Sequence, residues 1–290
     1  MATFSIQDED LAVLKGKVIV ITGGSSGIGL ATTKLLLSLG AAVISGDVIP
    51  SPLEDSTLSF VKTDVSQWAD LVALFKHAND LHGRIDHVFA NAGINNRANY
   101  VEDRFDDSGN LLEPSFQTLD INLRGAMNTS YLGMHYMRKQ QPAGGSIVIT
   151  ASASSFQRFR IVDYVTAKHG VLGFMRGLVP AIKAAGQPIR VNSLAPDWTA
   201  TSIIPQSMID LLGDSVQGPE VVAKAAAVCM ADESRQGQLI YTKGGAHRDV
   251  EESILMEAAK DIIGRGLEGD DATVEAFLKK LAAEIETQNE

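Results

Sequence analysis

The run Lys17-Val-Ile-Val-Ile-Thr22 passes directly into Thr22-Gly-Gly-Ser-Ser-Gly-Ile-Gly29, and then into helically spaced apolar residues from Ile28 to Leu39, ended by Gly40. A short β-branched run of this kind reads as a strand buried on both faces, which is a property of parallel sheets. The glycines permit a sharp turn and let the backbone approach a pyrophosphate. The helix that follows presents free N–H groups and a partial positive charge at its start. Turns favour glycine anyway, so the cluster alone says little. Its position, opening a strand–turn–helix–strand unit that closes with Ala41 to Asp47, makes it a dinucleotide-binding turn, with Gly23, Ser25, Ser26, Gly27 and Ile28 as contacts.

The alternation continues along the chain. Leu58 to Lys62 reads as strand, Ser66 to Leu81 as helix with Ser66 its N-cap, and Ile85 to Ala90 as strand. Asn95 to Pro114 is polar and reads as a loop, and Ser115 to Lys139 as a long helix. Ser146 to Thr150 is strand, Val162 to Ala185 helix, and Ile189 to Leu194 strand; Pro180 is expected to kink or interrupt that helix. Asp197 to Gly218 shows no regular pattern. Pro219 begins another helix as its first residue, and Gln238 to Thr242 is the last strand. Seven strands interleaved with helices predict an α/β fold, a doubly wound seven-stranded parallel sheet with the ligand at the carboxyl ends of the strands.

Composition narrows the function classes. With 25 basic against 35 acidic side chains the net charge is −10, which argues against a nucleic-acid or anionic-membrane surface. The single cysteine, Cys229, excludes an intramolecular disulfide and a CxxC site, and no His/Cys cluster suggests a metal. Met1 to Asp10 lacks the basic and apolar stretches of a signal peptide, and no apolar run of about 20 residues reads as a membrane span, so a cytoplasmic location is expected. The acidity is uneven. Residues 246–290 hold 12 acidic and 5 basic side chains. They read as two amphipathic helices, one with Ile254, Leu255, Ala258, Ile262 and Ile263 on a face and one with Val274, Phe277, Leu278, Leu281 and Ile285, separated by Gly264, Gly266 and Gly269. The expected organisation is an N-terminal arm (1–14), one large domain (15–245) and an acidic helical extension (246–290) that docks on its own or a neighbouring subunit.

Asp47 ends the second strand, 18 residues after Gly29. That spacing suits a carboxylate on the ribose hydroxyls, which would repel a 2′-phosphate; no Arg or Lys in the glycine turn offsets it. NAD is therefore expected over NADP. The other reading of Asp47 is a solvated strand end.

At Tyr164-Val-Thr-Ala-Lys168, taken with the glycine turn, the chain resembles the short-chain dehydrogenase/reductase superfamily, a Rossmann-fold group, from about Lys15 to Gly245. The resemblance implies an adenine-contacting pair at Asp64-Val65, a structural motif at Asn91-Ala92-Gly93, and a catalytic tetrad of Asn122, Ser152, Tyr164 and Lys168. It also implies a nicotinamide-holding loop from Pro196 to Thr201. The chemistry is coherent. Tyr164 and Lys168 share a helix face, and an ammonium beside a phenol favours the phenolate. Tyr164 would then exchange a proton with the substrate oxygen while Ser152 stabilises charge on it. Lys168 would also hold the nicotinamide ribose, and Asn122 would anchor a relay water. Ser154 and Ser155 leave the register of Ser152 open. Asn122 could instead bond helix backbone. Where the family has Pro-Gly, this chain has Pro196-Asp197, which makes Thr201 a less secure contact.

The expected reaction is hydride transfer between NAD(H) and a secondary alcohol or ketone. Phe156, Phe159, Ile161, Trp198, Ile203, Ile204 and Met208 offer an apolar lining for a bulky hydrophobic substrate, such as a terpenoid, steroid or polyketide-like compound; the same residues could pack under their loops. Asn95, Asn96, Tyr100 and Phe105 on the long loop would form another wall. The resemblance implies a homodimer or homotetramer. The rival readings are an NADP(H)-dependent ketoreductase and a non-catalytic dinucleotide-binding regulator.

Overall fold

The computed structural model describes residues 3–263 and 276–281. The chain divides into two compact units, Met1–Asp249 and Val250–Glu290.

In the first unit β1 (Val18–Thr22), α1 (Gly27–Ser38) and β2 (Ala42–Asp47) follow the sequence closely. Every residue of β1 is buried, as its unbroken β-branched run requires. The unit continues with β3 (Leu58–Lys62), α2 (Trp68–His82), β4 (His87–Ala90), α3 (Gln117–Leu119), α4 (Ala126–Lys139), β5 (Gly145–Thr150), α5 (Val162–Ala184), β6 (Ile189–Pro196), α6 (Gln206–Leu212), α7 (Pro219–Ala231), β7 (Leu239–Lys243) and β8 (Ala246–Asp249). The strand order is β3-β2-β1-β4-β5-β6-β7-β8. The first seven strands are parallel, as expected. The direction of winding reverses between β1 and β4, and the two connections leaving that point open a crevice at the carboxyl ends of the strands.

The eighth strand corrects the sequence reading, which assigned residues from 246 onward to helix. β8 pairs antiparallel with β7. Gly244 and Gly245 turn the chain with φ of +56° and +85°, the conformation a tight hairpin demands. Phe4 then bridges to His247, its N–H donating to the His247 carbonyl at 2.9 Å.

One face of the sheet packs on α1, α7 and the 3₁₀ segment Asp8–Leu14. Ile19, Ile21, Phe89, Val148 and Ile240 meet Leu11, Leu14, Leu36 and the Ala225–Ala227 run there. The alanines let α7 lie close, and each large side chain removed from water contributes about 1.5–3 kcal/mol.

Four further expectations shift. Ser66 does not cap α2; its N–H and hydroxyl both donate to Asp64 Oδ1, and Gln67 is the N-cap. The long helix after Pro114 is continuous but widens to a π-helical segment at Asp120–Gly125, between α3 and α4. The region after Asp197 contains α6, which sequence periodicity could not reveal because none of its residues is buried. Pro180 lies inside α5 without interrupting it, and Met175 and Ile182 hold the flanking turns against the sheet.

The second unit contains a π-helical segment, Glu251–Met256, then α8 (Glu257–Ile263) and helix at 276–281. Ile262, Phe277, Leu278 and Leu281 are exposed. Val274, Ile285 and the glycines 264, 266 and 269 lie outside the described residues. Among the described residues no helix is long and apolar enough to cross a membrane.

Candidate active site

A cleft of about 630 Å³ lies along the carboxyl ends of the strands, from Asp47 and the glycine turn at one end to Trp198 and Met208 at the other. Its first wall depends on glycine. A Cβ on Gly23 would stand 2.8 Å from the Ala92 Cα, and one on Gly29 only 1.9 Å from the Gly23 carbonyl oxygen. Asn91 secures this approach. Its Nδ2 donates to the carbonyls of Thr22 and Gly23 at 3.3 and 3.1 Å, and its Oδ1 accepts from the Thr150 hydroxyl at 3.1 Å. The ends of β1, β4 and β5 are thereby joined. Gly23, Ser26, Gly27, Ile28, Asp47, Asp64, Val65, Asn91, Ala92 and Gly93 all line the cleft.

Ser25 does not. Its hydroxyl donates to the Ile49 carbonyl at 2.9 Å and its N–H to Asp47 Oδ2 at 3.0 Å, so it ties the glycine turn to the end of β2. Asp47 therefore has structural work as well. Its Oδ1 accepts from the Ile49 N–H at 3.2 Å, and it remains on the cleft wall with acceptor capacity to spare.

At the centre, Ser152, Tyr164 and Lys168 converge. Ser152 caps a 3₁₀ turn, Ala153–Ser155. Of the three serines, Ser155 turns inward, its hydroxyl donating to the Lys168 carbonyl at 2.8 Å, while Ser152 and Ser154 both face the cleft. Lys168 Nζ lies 5.6 Å from the centre of the Tyr164 ring and donates to the Thr150 carbonyl at 2.7 Å. Burial holds the Lys168 ammonium down at about 8. Burial also raises the Tyr164 phenol above its usual value, and the Ser152 hydroxyl beside it pulls the other way. Desolvation is the larger of the two, so the phenol lies above its usual value, where the sequence expectation had Lys168 lowering it.

Lys168 gives a pH test. Its folded value sits below the unfolded 10.5, so charged Lys168 opposes folding below about pH 8, and the opposition fades between pH 8 and 10.5. Lys168→Met should therefore lose ground against the wild type over that window, by roughly 3 kcal/mol. Thermal melts of both proteins at several pH values check this; a pH-independent difference would refute it.

Asn122 departs from its expected position. It is buried in the π-helical segment and does not line the cleft. Its side-chain oxygen accepts from the Ile94 N–H and its nitrogen donates to the Ile94 carbonyl, both at 2.8 Å. The side chain is therefore a brace for the loop after β4. The same loop is anchored by Asp163, whose Oδ2 accepts from the N–H groups of Arg97 and Ala98 at 2.8 and 3.0 Å. Those bonds help hold the Asp163 carboxyl below its usual value against burial. Nothing in the sequence pattern signals a contact between positions so far apart.

At the far end, Phe159 and Trp198 meet edge to face at 5.7 Å, with Ile161, Ile203, Ile204 and Met208 around them. Phe156 is a correction: it turns away from the cleft onto Tyr241, with ring centres 6.2 Å apart. Asn95 lines the wall and donates to the Ile203 carbonyl at 3.0 Å, whereas Asn96 forms part of the loop backbone network, and Tyr100 and Phe105 are exposed and off the wall. Gln157 lines the cleft, although no sequence motif points to it.

Asp197 is also on the wall. Its Oδ2 accepts from the Tyr241 hydroxyl at 2.9 Å and pairs with Lys243 at 3.2 Å. Burial, together with bonding to this carboxylate, pushes the Tyr241 phenol up to about 12. Thr199 and Gln217 fasten the next residues, so the loop still brings Thr201 over the glycine turn, where it would meet a Cβ on Gly27 at 3.0 Å.

A dinucleotide fits these residues. Gly23 and Gly27 have positive φ and leave backbone bare along the first wall, and Thr201 closes over Gly27. Fold and cleft together define an α/β protein of the doubly wound class. The short chain dehydrogenase profile matches residues 17–210, and the chain belongs to that family of oxidoreductases. It is 51% identical to the short-chain dehydrogenase/reductase ascJ of Acremonium egyptiacum, over 91% of this chain and 90% of that one. It is 30% identical to 15-hydroxyprostaglandin dehydrogenase [NAD(+)] of Homo sapiens, over 66% of this chain and 71% of that one. The crystal structure of levodione reductase shares 28% identity and a TM-score of 0.68, covering 80% of this chain and 97% of that chain. A 3-ketoacyl-(acyl-carrier-protein) reductase from Brucella melitensis, solved with NADH, has the same fold at a TM-score of 0.68 and 23% identity, over 80% of this chain and 98% of that one.

Proposed function

We propose that the chain is an NAD(H)-dependent oxidoreductase acting on a secondary alcohol or ketone, with a bulky hydrophobic substrate of terpenoid, steroid or polyketide-like character. The observation that carries this reading is the convergence of Ser152, Tyr164 and Lys168 on one cleft beside the glycine turn. A bound nicotinamide supplies the acceptor or donor of hydride. The glycine turn would hold the pyrophosphate, Asp47 the adenosine ribose, Asp64 and Val65 the adenine side, and Lys168, Pro196 and Thr201 the nicotinamide end. Tyr164 exchanges a proton with the substrate oxygen, and Ser152 donates a hydrogen bond to that oxygen as charge develops on it. Lys168 holds positive charge beside the phenol, which favours the phenolate. Asn122 acts through the loop it braces, its side chain bonded to both backbone groups of Ile94, and is assigned the proton relay from that position.

The apolar wall around Phe159 and Trp198 supports the hydrophobic substrate. Exposed Met127 and Tyr131 on α4 and Val162 on α5 support a homodimer or homotetramer built on those helices. NAD preference rests on Asp47 and on Lys168 being, among the described residues, the one Lys or Arg on the cleft wall. Asp47→Ala should lower kcat/KM for NADH by about 10- to 100-fold, the worth of a charge-assisted hydrogen bond, and should narrow the gap to NADPH. Turnover of hydrophobic secondary alcohols, followed by NADH absorbance, tests the activity. Binding of NADH without turnover of any alcohol or ketone would favour a regulator, and a wild-type preference for NADPH would overturn the role of Asp47.

A further inference from the structure

Ser152 and Ser154 form a pair whose polarity bears on the reaction. The Ser154 N–H donates to the Ser152 hydroxyl oxygen at 3.2 Å, and the Ser154 hydroxyl lies 2.9 Å from that same oxygen. Ser154 is buried and on the cleft wall. A serine oxygen has two acceptor sites and one proton to give. A phenolate only accepts, so Ser152 must donate its proton when it bonds to an ionised Tyr164. Both acceptor sites of Ser152 then fall to Ser154, and the Ser154 hydroxyl has to be the donor across 2.9 Å.

We propose that Ser154 is a positioning residue that donates through both its N–H and its hydroxyl into Ser152, fixing the Ser152 proton toward the Tyr164 oxygen while that group is ionised and toward the substrate oxygen once Tyr164 has taken the proton. This rests on Tyr164 being the acid/base group. The chain Ser154 to Ser152 to Tyr164 runs in one direction, and each link polarises the next. Its effect is to favour the phenolate in a setting where burial disfavours it. Ser155 is engaged elsewhere. Its one proton goes to the Lys168 carbonyl, and its oxygen accepts from the Ser152 N–H at 3.2 Å. The turn is thus locked to α5 independently of Ser154.

The charged groups around Tyr164 are unchanged by substitution at Ser154. Lys168 lies on the same helix, 5.6 Å from the ring. Asp163 is turned to the Arg97 and Ala98 N–H groups. Asp197, from the end of β6, is held by Tyr241 and Lys243.

The test is ultraviolet titration of the phenol in the full chain, with the Tyr164→Phe titration subtracted so that only Tyr164 is read. Ser154→Ala should move this ionisation up by about half to one pH unit, the worth of one net hydrogen bond, and Ser154→Thr should return it to the wild-type position. In turnover, kcat for Ser154→Ala should fall several-fold on the acidic side, converge with the wild type at high pH, and leave KM for NAD unchanged. An unmoved titration in Ser154→Ala overturns the proposal, and so does an equal shift in the alanine and threonine variants. Failure of the underlying reading is separate: Tyr164→Phe would keep its turnover whatever Ser154 does.

Discussion

Tyr164→Phe is expected to reduce turnover of a secondary alcohol by about 10²- to 10⁴-fold, the usual worth of a positioned general acid or base. The ring would stay in place between Lys168 and Ser152, so the cleft keeps its shape and NADH binding should change little. Loss of a hydroxyl whose ionisation burial already disfavours should leave the melting temperature near the wild-type value. The measurement is a steady-state rate together with a thermal melt. Turnover within a few-fold of the wild type would remove Tyr164 from the chemistry, because among the described residues no other phenol lines the cleft.

Gly29→Ala should produce the largest loss of stability. The added methyl would sit 1.9 Å from the Gly23 carbonyl oxygen and 2.7 Å from Asn91 Nδ2. Neither can retreat easily. Gly23 is itself pressed against Ala92, and Asn91 is bonded to β1 and β5. Overpacking of this kind costs about 3 kcal/mol, which is a fall of roughly 6–12 °C. Gly173→Ala in α5 is the matched control. Nothing lies within 4 Å of its added Cβ, so this change should be neutral or stabilising by up to about 1 kcal/mol. Equal melting of the two variants would contradict the close approach at the turn.

The parts that sequence could convey are those with a period. The seven parallel strands are short, largely apolar runs, and α1, α2 and α5 carry spaced apolar residues, so each announces itself locally. Ala246-His-Arg-Asp249 has no such pattern; its strand is made by a glycine pair and by the edge of β7. α6 has no buried residue and hence no stripe to read. The site divides in the same way. Spacing on one helix was enough to pair Tyr164 with Lys168. The direction of Phe156 was not legible, because it sits at the end of a turn whose backbone decides which wall it meets. Ser25, Asn122 and Asp163 were hidden for another reason: each bonds backbone groups of a distant segment, and main-chain partners leave no mark in side-chain patterns.

The bridge between Phe4 and His247 has a consequence for the order in which the molecule is completed. Phe4 precedes β1 and its partner His247 lies in β8, so the segment around Phe4 must wait through the synthesis of every strand before it finds its edge. Contacts of such long sequence separation form late and slowly. Until His247 has emerged, the nascent chain carries an exposed border on its unfinished sheet, and that interval is when it most needs protection from self-association.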